Sequence, residues 1–163
     1  MHRTDTYRIP KFRIHSLAVI LLTLSNLAGS IVAAPIAADA SKFLGNITPG
    51  RSTGMPWNFD NYWNQITPEN SGKWGNVERT RDSMYWESLD MSYNHARETG
   101  ILFKQHTFVW GNQKPDWIDS LTPEEQREEV EEWIKAFAER YPETDMIDVV
   151  NEHIDHIGFR VPL

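Results

Sequence analysis

The sequence has 163 residues, of which 40% are hydrophobic and 24% are charged, which is the composition of a globular protein and not of a disordered or fibrous one. The formal net charge is −7 at pH 7. Beyond the extreme N-terminus the chain has no basic stripe, which argues against a nucleic acid as partner. The absence of cysteine excludes a disulfide framework, a thiolate metal site and a cysteine nucleophile. A neutral ligand fits such a chain better than an anionic polymer.

The first part of the chain, residues 1–40, has the layout of a secretory signal peptide. An apolar run over residues 17–34 is followed by Ala38-Asp39-Ala40, a small-residue cleavage site before Ser41. The run is near the minimum length of a membrane span, so an uncleaved anchor is the alternative, but its polar interruptions favour a cleaved signal. We predict a signal peptide over 1–40, a secreted protein without stable membrane association, and one domain over 41–163. The basic residues before the apolar run are Arg3, Arg8, Lys11 and Arg13.

Short apolar runs and helical patterns alternate after the signal. Residues 43–45 predict a short strand. Residues 86–99 have apolar side chains at helical spacing, and Gly100 follows where a helix commonly ends in a glycine. Residues 101–103 then predict a second strand, which leads into polar residues.

The clearest predicted helix begins after Thr122. The sequence Thr-Pro-Glu-Glu supplies an N-cap, a proline at the first helical position and a capping-box glutamate, Glu125. Pro142 ends the helix, and residues 146–150 predict a β-branched strand. The apolar side chains of the helix recur at a spacing that predicts a core-facing stripe, composed of Val130, Trp133, Ile134, Phe137 and Tyr141.

Strands that alternate with helices of this length predict βαβ units and a parallel sheet. Functional groups gather at the carboxyl ends of such strands. Each polar group alone is better explained as a loop cap, because caps are common and catalytic residues are rare. Three successive strands, however, each end in such a polar group. If the sheet curls into a (β/α) barrel, these groups meet at one rim, and they are Glu69 with Asn70, His106 with Trp110, and Asn151 with Glu152.

Glu152 is the leading catalytic candidate. It follows an apolar strand end, where partial desolvation would raise the pKa of its carboxyl group and keep a proton available for a leaving group. Asn151 beside it offers a donor and an acceptor for a sugar hydroxyl. The indoles of Trp74 and Trp110 are expected to be exposed and to offer flat faces to a pyranose ring. Further groups suited to vicinal hydroxyls are Glu69, Asn70, Lys73 and His106, so the sequence predicts a carbohydrate ligand.

Other site chemistries fit less well. His153, Asp155 and His156 crowd beside Glu152, but neither H-E-x-x-H nor its inverted form is present. The nucleophile elbow G-x-S-x-G and the phosphate loop G-x-x-x-x-G-K-[ST] are also absent. We therefore predict no metal and no cofactor.

Four segments together resemble the N-terminal half of a glycoside hydrolase family 10 catalytic domain, the family of endo-1,4-β-xylanases. They are Ile66-Thr67-Pro68-Glu69-Asn70, Lys73-Trp74, His106-Thr107-Phe108-Val109-Trp110 with Gln113, and Asp148-Val149-Val150-Asn151-Glu152. The resemblance implies an α/β fold, a truncated (β/α)₈ TIM barrel with about its first four βα units. It also implies hydrolysis of internal β-1,4 bonds of xylan with retention of configuration.

The resemblance also implies roles for single residues. Glu152 matches the general acid/base, and Asn151 matches a group that contacts the sugar at the cleavage site. Binding of the xylose units on the non-reducing side is implied for Glu69, Asn70 and Lys73, and lining of the site next to the scissile bond for His106, Trp110 and Gln113. The chain departs from the family pattern at Gly111 and Gly72, where larger residues are common.

A retaining glycosidase needs a second carboxylate about 5 to 5.5 Å from the acid/base, and the resemblance places it on a seventh strand, which the sequence does not supply. We therefore expect this chain alone to be inactive. The alternatives are a non-catalytic, secreted carbohydrate-binding fragment and a β-1,4-glucanase of the same clan. An exposed half-barrel edge would also favour self-association.

Overall fold

The computed structural model describes residues 33–49 and 55–153. Its strands are β1 (Gly45–Thr48), β2 (Gln65–Pro68), β3 (Leu102–Trp110) and β4 (Met146–Asn151). They pair in parallel in the order β1-β2-β3-β4. The predicted parallel sheet is therefore confirmed, and the carboxyl ends of all four strands lie at one edge.

Helices in the described residues are α1 (Trp74–Val77), α2 (Glu87–Thr99) and α3 (Pro123–Arg140), with short 3₁₀ helices at Phe59–Asn61 and Asp116–Ser120. The sequence pattern placed α2 and α3 correctly. Gly100 ends α2 in the left-handed conformation at φ 74°, which costs a glycine little. At the start of α3, Thr122 accepts from the backbone of Glu125 and Glu125 reaches back to Thr122, which is the predicted capping box.

Two strand boundaries differ from their predictions. The strand expected at residues 43–45 begins at Gly45. The backbone N–H of Leu44 donates to the side-chain oxygen of Asn64 at 2.7 Å. This N–H group is therefore not available for pairing with a neighbouring strand. The strand expected at residues 101–103 begins at Leu102 and continues to Trp110. Buried and half-buried residues alternate as far as Thr107, and the pairing with β4 shifts register between His106 and Val109.

The core lies between α2, α3 and the sheet, and half of its buried hydrophobic side chains are aromatic. Trp133 of α3 is completely buried. Its ring is stacked with Trp74 at a centroid distance of 6.3 Å and with Trp86 at 5.4 Å. Phe137 and Tyr141 of the same stripe are also buried, and Val130 lies beside them. The predicted core face of α3 is thereby confirmed, with Ile134 half-buried at its margin.

The last strand is an exposed edge of the sheet, as is β1, where Ile47 is 50% exposed. Ile147, Val149 and Val150 of β4 are 41%, 57% and 53% exposed. Within the described residues these apolar groups are only partly covered, whereas Phe103 of β3 is completely buried. The carboxyl end of β4 is thus less well packed than β3.

The predicted signal peptide lies mainly outside the described residues and stays a prediction. Over residues 33–49 and 55–153, no helix combines the length and apolarity that a membrane crossing requires.

Candidate functional site

Lys73 is the centre of the contacts at the carboxyl ends of β2 and β3. It caps the start of α1, and its ammonium group donates to Asn70 Oδ1 at 2.9 Å and to Gln113 Oε1 at 2.6 Å. The same group lies 4.8 Å from the centroid of the Trp110 ring, within range of a cation–π interaction. One ammonium group thus connects the loop after β2 to the end of β3. We call this set of contacts, formed by Lys73, Asn70, Gln113 and Trp110, the Lys73 network.

The charge of Lys73 is held in a buried position, since the residue is only 8% exposed. Burial lowers the pKa of its ammonium group, and the carboxylates of Glu69 and Glu152 partly oppose that shift. Glu69 and Glu152 therefore both act electrostatically on the same cation, although they follow different strands. This is the first evidence that the predicted polar groups at the ends of β2 and β4 lie near each other.

Asn70 and Gln113 are themselves fixed by short contacts. The Asn70 carbonyl accepts from Asn76 Nδ2 at 2.8 Å, and the Gln113 carbonyl accepts from the backbone N–H of Gly75 at 3.0 Å. Gln113 adopts a positive φ of 50°, a conformation that costs a side-chain-bearing residue energy and is often found at functional sites. Gly75 must lack a side chain, because a Cβ there would lie 2.5 Å from the Gln113 carbonyl oxygen.

Gly72 is explained by its surroundings. Gln105 of β3 is completely buried, and its Nε2 donates to the Gly72 carbonyl at 2.6 Å. A Cβ on Gly72 would lie 2.6 Å from the backbone oxygen of His106 and 2.7 Å from Gln105 Oε1. The space that a larger residue would need is therefore filled by β3, and the loop carrying Asn70 and Lys73 lies directly on that strand.

His106 contacts β4 and not the Lys73 network. Its Nδ1 lies 3.0 Å from Asp148 Oδ2, and Lys104 Nζ lies 3.0 Å from the same oxygen. Burial by itself raises the pKa of Asp148, but hydrogen bonds from His106 and Lys104 outweigh it, so the pKa lies below its ordinary value. Thr107 adds a hydrogen bond to the Asp148 carbonyl at 2.8 Å. Asp148 thus joins β4 to β3 beneath the site.

Glu152 lies at the end of β4, one residue beyond Asn151, which pairs with Trp110 in the sheet. Trp110 Nε1 donates to Glu152 Oε2 at 3.0 Å, so the ring that faces Lys73 also holds the candidate acid. Glu152 has a positive φ of 48° and an exposed side chain. The desolvation expected at this strand end was wrong for the described residues, because Val149 and Val150 beside it are themselves exposed.

The prediction for Trp74 was wrong as well. Trp74 is 2% exposed, and its ring faces Trp133 at an interplanar angle of 5°. Its Nε1 donates to Glu78 Oε2 at 2.7 Å. Because Trp74 begins α1 facing the core, it holds the site from beneath and offers no face to a ligand. Trp110 is half-buried, and its role as a face for a ligand stays a prediction.

Sequence reasoning missed three side chains that hold the site, namely Asn76, Gln105 and Asp148. Asp148 interrupts an otherwise apolar strand, which is a signal that could have identified it. Gln105 and Asn76 left no such signal, because nothing in their spacing distinguishes a buried amide from a solvated one. Their contacts with Gly72 and Asn70 arise only when the β2 loop and β3 meet.

Carboxylate oxygens of Glu78, Asp82 and Glu129 lie within 4.8 Å of one another, away from the Lys73 network. Burial raises the pKa of Glu78, and hydrogen bonds from Trp74 and Asp82 partly oppose this shift. Arg81 binds Glu129 at 2.7 Å. Since Glu78 and Glu129 already accept hydrogen bonds from the protein, we interpret the cluster as structural.

Comparison with known proteins gives a consistent result. Residues 32–161 match the model of Glycosyl hydrolase family 10. The chain is 52% identical over 115 residues to endo-1,4-beta-xylanase B of Cellvibrio japonicus, covering 71% of this chain and 19% of that protein. It is 30% identical over 96 residues to endo-1,4-beta-xylanase 3 of Hypocrea jecorina, covering 58% of this chain and 28% of that one. The chain thus spans less than a third of either relative.

Solved structures agree in fold. The xylanase 10B of Thermotoga petrophila in complex with xylobiose matches with a TM-score of 0.66 and 26% identity, over 73% of this chain and 39% of that one. A Thermobacillus composti xylanase of the same family matches with a TM-score of 0.55 and 34% identity, over 58% and 31% of the two chains. The four parallel strands are consistent with part of a (β/α)₈ barrel. The chain belongs to glycosyl hydrolase family 10.

Proposed function

We propose that the chain is part of a secreted endo-1,4-β-xylanase that hydrolyses internal β-1,4 bonds of xylan with retention of configuration. Family membership and the named activities of the relatives support this assignment. The xylobiose bound to the Thermotoga petrophila relative supports a xylo-oligosaccharide as ligand. The contacts of Trp110 are the observation that carries the proposal, because one ring joins Lys73 to Glu152.

In this proposal Glu152 is the general acid/base. Its protonated carboxyl group donates to the glycosidic oxygen as the bond breaks, and its carboxylate later accepts a proton from the attacking water. The Trp110 indole N–H donates to one carboxyl oxygen of Glu152 and so holds the side chain in place. Asn151 contacts the sugar at the cleavage site, next to Glu152.

The binding of the sugar units on the non-reducing side falls to Glu69, Asn70 and Lys73. Asn70 and Lys73 are already fixed relative to each other by a 2.9 Å hydrogen bond, so little side-chain entropy is lost when a sugar hydroxyl binds. Gln113 and His106 line the neighbouring position at the end of β3. Trp110 offers the apolar face for a pyranose ring.

Retention requires a second carboxylate about 5 to 5.5 Å from the first. Since the chain spans 19% of the Cellvibrio relative, we assign turnover to the longer protein and sugar binding to the residues described. We expect no release of reducing ends when this chain alone is incubated with xylan. Turnover that disappears in Glu152→Ala would contradict this expectation.

The binding proposal is tested by titrating the full chain with xylotriose and with cellotriose. We expect xylotriose to bind in the millimolar range, and Lys73→Met to weaken it by at least about tenfold, since a charge-assisted hydrogen bond contributes roughly 1.5–3 kcal/mol. The matched control is Lys135→Met, because Lys135 is exposed on α3 with only Glu139 within 4.0 Å. Absence of heat with xylotriose would contradict the proposal, and preference for cellotriose would favour a β-1,4-glucanase.

We also propose that β4 mediates self-association. Its exposed apolar side chains, Ile147, Val149 and Val150, lie on a strand that has a partner in the sheet on one side within the described residues. Unpaired strand edges with apolar side chains recruit further strands. Sedimentation velocity should show a mass that rises with concentration and falls in Val149→Lys, whereas a monomer at all concentrations would contradict the proposal.

A further inference from the structure

The chain enters the folded domain through a short segment in front of β1, residues 35–44, which we call the entry segment. All of it lies within the described residues. Its first part contains two turn hydrogen bonds, from the Ala38 N–H to the Pro35 carbonyl at 3.0 Å and from the Ala40 N–H to the Ala37 carbonyl at 3.1 Å. The backbone is therefore ordered before the predicted cleavage site at Ala40 is reached.

Asn64, which directly precedes β2, holds the entry segment through both ends of its side-chain amide. Its Oδ1 accepts from the Leu44 N–H at 2.7 Å, and its Nδ2 donates to the Ala37 carbonyl at 3.2 Å. The backbone N–H of Asn64 donates to the Leu44 carbonyl at 3.0 Å, and the Ile36 N–H donates to the Tyr62 carbonyl at 3.2 Å. Contacts at both ends of the entry segment thus join it to the start of β2.

The extent of the domain agrees with these contacts. The compact unit that contains the sheet begins at Ala33, and the match to the family begins at residue 32. A signal peptide that ended at Ala40 would remove residues 35–40 from this unit. The Tyr62 carbonyl and the Asn64 amide would then lose the partners described above. The contacts therefore favour a cleavage site nearer to the N-terminus.

The sequence offers such an earlier site. The apolar core of a signal peptide has about 7 to 15 residues and is followed by small residues at alternate positions. Residues 17–24 already have this length, and Ala28-Gly29-Ser30 lies shortly after them. Val32-Ala33-Ala34 is also rich in small residues, but the next residue is Pro35, whose ring fixes φ and removes the N–H. Ala28-Gly29-Ser30 therefore fits the requirement better.

We propose that the signal peptide is removed before the entry segment, at Ala28-Gly29-Ser30, and that residues 35–44 are a permanent part of the mature domain. This inference rests on the proposed secretion of the protein. It shortens the signal peptide predicted over 1–40 by residues 31–40. The contacts of Ile36 and Ala37 with the start of β2 are then kept after processing, because both residues lie on the retained side of the cleavage.

Secretion of the full chain with its own signal peptide from a bacterial host tests the cleavage site. Intact mass and N-terminal sequencing of the exported product should give a first residue no later than Pro35, with Ile31 expected from the small-residue triplet. Ser30→Leu places a large side chain where the peptidase requires a small one and should prevent cleavage before Ile31. The matched variant Ala40→Leu makes the same kind of change at the later site and should leave the first residue unchanged.

Trypsin cleavage of the exported protein after Lys42, an exposed residue of the entry segment, tests the contacts separately. Asn64→Asp keeps the acceptor for Leu44 but removes the donor to Ala37. It should increase the cleavage rate about fivefold, the factor that one neutral hydrogen bond contributes to an opening equilibrium. The matched control Asn46→Asp makes the same change in β1, where the side-chain oxygen accepts from a neighbouring backbone N–H at 2.8 Å and aspartate can still accept. This control should leave the rate unchanged.

The outcomes separate this inference from the proposed secretion. A first residue of Ser41, or equal trypsin cleavage of Asn64→Asp and the unmodified chain, would overturn the inference and leave secretion intact. If the signal peptide is not removed at all, the proposed secretion itself fails, and the inference fails with it.

Discussion

The two sides of the candidate site are supported to very different degrees. On the anchored side, formed by residues 70–76 and 105–113, side chains are held by several short contacts, and Lys73 is 8% exposed. On the open side, formed by β4 and Glu152, the apolar side chains are exposed. Trp110 contacts both sides, because its ring lies against Lys73 and its indole N–H donates to Glu152.

This difference in packing matters because sugar binding and catalysis require different surroundings. Groups that hold a sugar need a fixed geometry, and local contacts within the β2 loop and β3 supply it. A general acid also needs an environment that retains its proton near neutral pH. The end of β4 is exposed within the described residues, so we test the difference by changing the contacts of β4.

The largest expected effect is on the free energy of unfolding, when the aromatic core beneath the anchored side is changed. Trp133→Ala removes a completely buried ring that is stacked with Trp74 and Trp86, and should lower the free energy of unfolding by about 3–5 kcal/mol. Urea unfolding followed by circular dichroism measures it. Val149→Ala on the open side should change stability by less than about 0.5 kcal/mol. Equal losses in the two variants would show that the two sides do not differ in packing.

A smaller effect is expected where the β2 loop lies on β3. Gly72→Ala places a Cβ 2.6 Å from the His106 oxygen, which should cost about 1–3 kcal/mol and displace Lys73. Xylotriose affinity should fall together with stability. The control Gly100→Ala has no atom within 4 Å and a φ of 74°, so it should cost about 1 kcal/mol through backbone strain alone. Unchanged sugar binding in Gly72→Ala would contradict the close contact of loop and strand.

The smallest expected effect concerns Asp148, whose side chain connects β4 on the open side to β3 on the anchored side. Hydrogen bonds from His106 and Lys104 lower the pKa of Asp148 in the folded chain. A lowered pKa stabilises the fold above the unfolded value of about 3.9, and this contribution is lost as pH falls through the folded pKa. Asp148→Asn should therefore destabilise the chain near pH 7 by less than about 1 kcal/mol, since the pair is partly exposed.

Thermal unfolding of Asp148→Asn and of the unmodified chain, measured from neutral to acidic pH, checks that prediction. The difference between them should shrink as the solution becomes more acidic. Lys104→Met removes one of the two donors to Asp148. Its pH-dependent loss of stability should therefore be smaller than that of Asp148→Asn. A difference that grows toward acidic pH would reverse the sign and contradict the assigned contacts.

Much of the fold follows from short-range sequence signals. The capping box at Thr122, the apolar stripe of α3 and the glycine after α2 are local features, and each lies where the sequence placed it. The strand ends were less accurate, because pairing decides them. Leu44 was expected in a strand, but Asn64, twenty positions away, binds its backbone N–H.

The site was predicted in part. Asn70, Lys73, Trp110, Gln113 and Glu152 are brought into one chain of contacts. Trp74 was misassigned, because an indole next to a site residue has the same sequence signal whether its face is free or stacked on a core. The supporting amide of Gln105 was missed, since its single donor bond to Gly72 depends on how closely two elements approach.

The sequence by itself determined the alternation of strands with the two long helices, the polar residues at the strand ends and the family resemblance, because these depend on residue type and spacing. The tertiary structure alone decided which groups touch. It buried Trp74, left Trp110 half-buried and placed Gln105 against Gly72. Such outcomes depend on distances of a few tenths of an ångström between elements distant in sequence, for which spacing along the chain carries no signal.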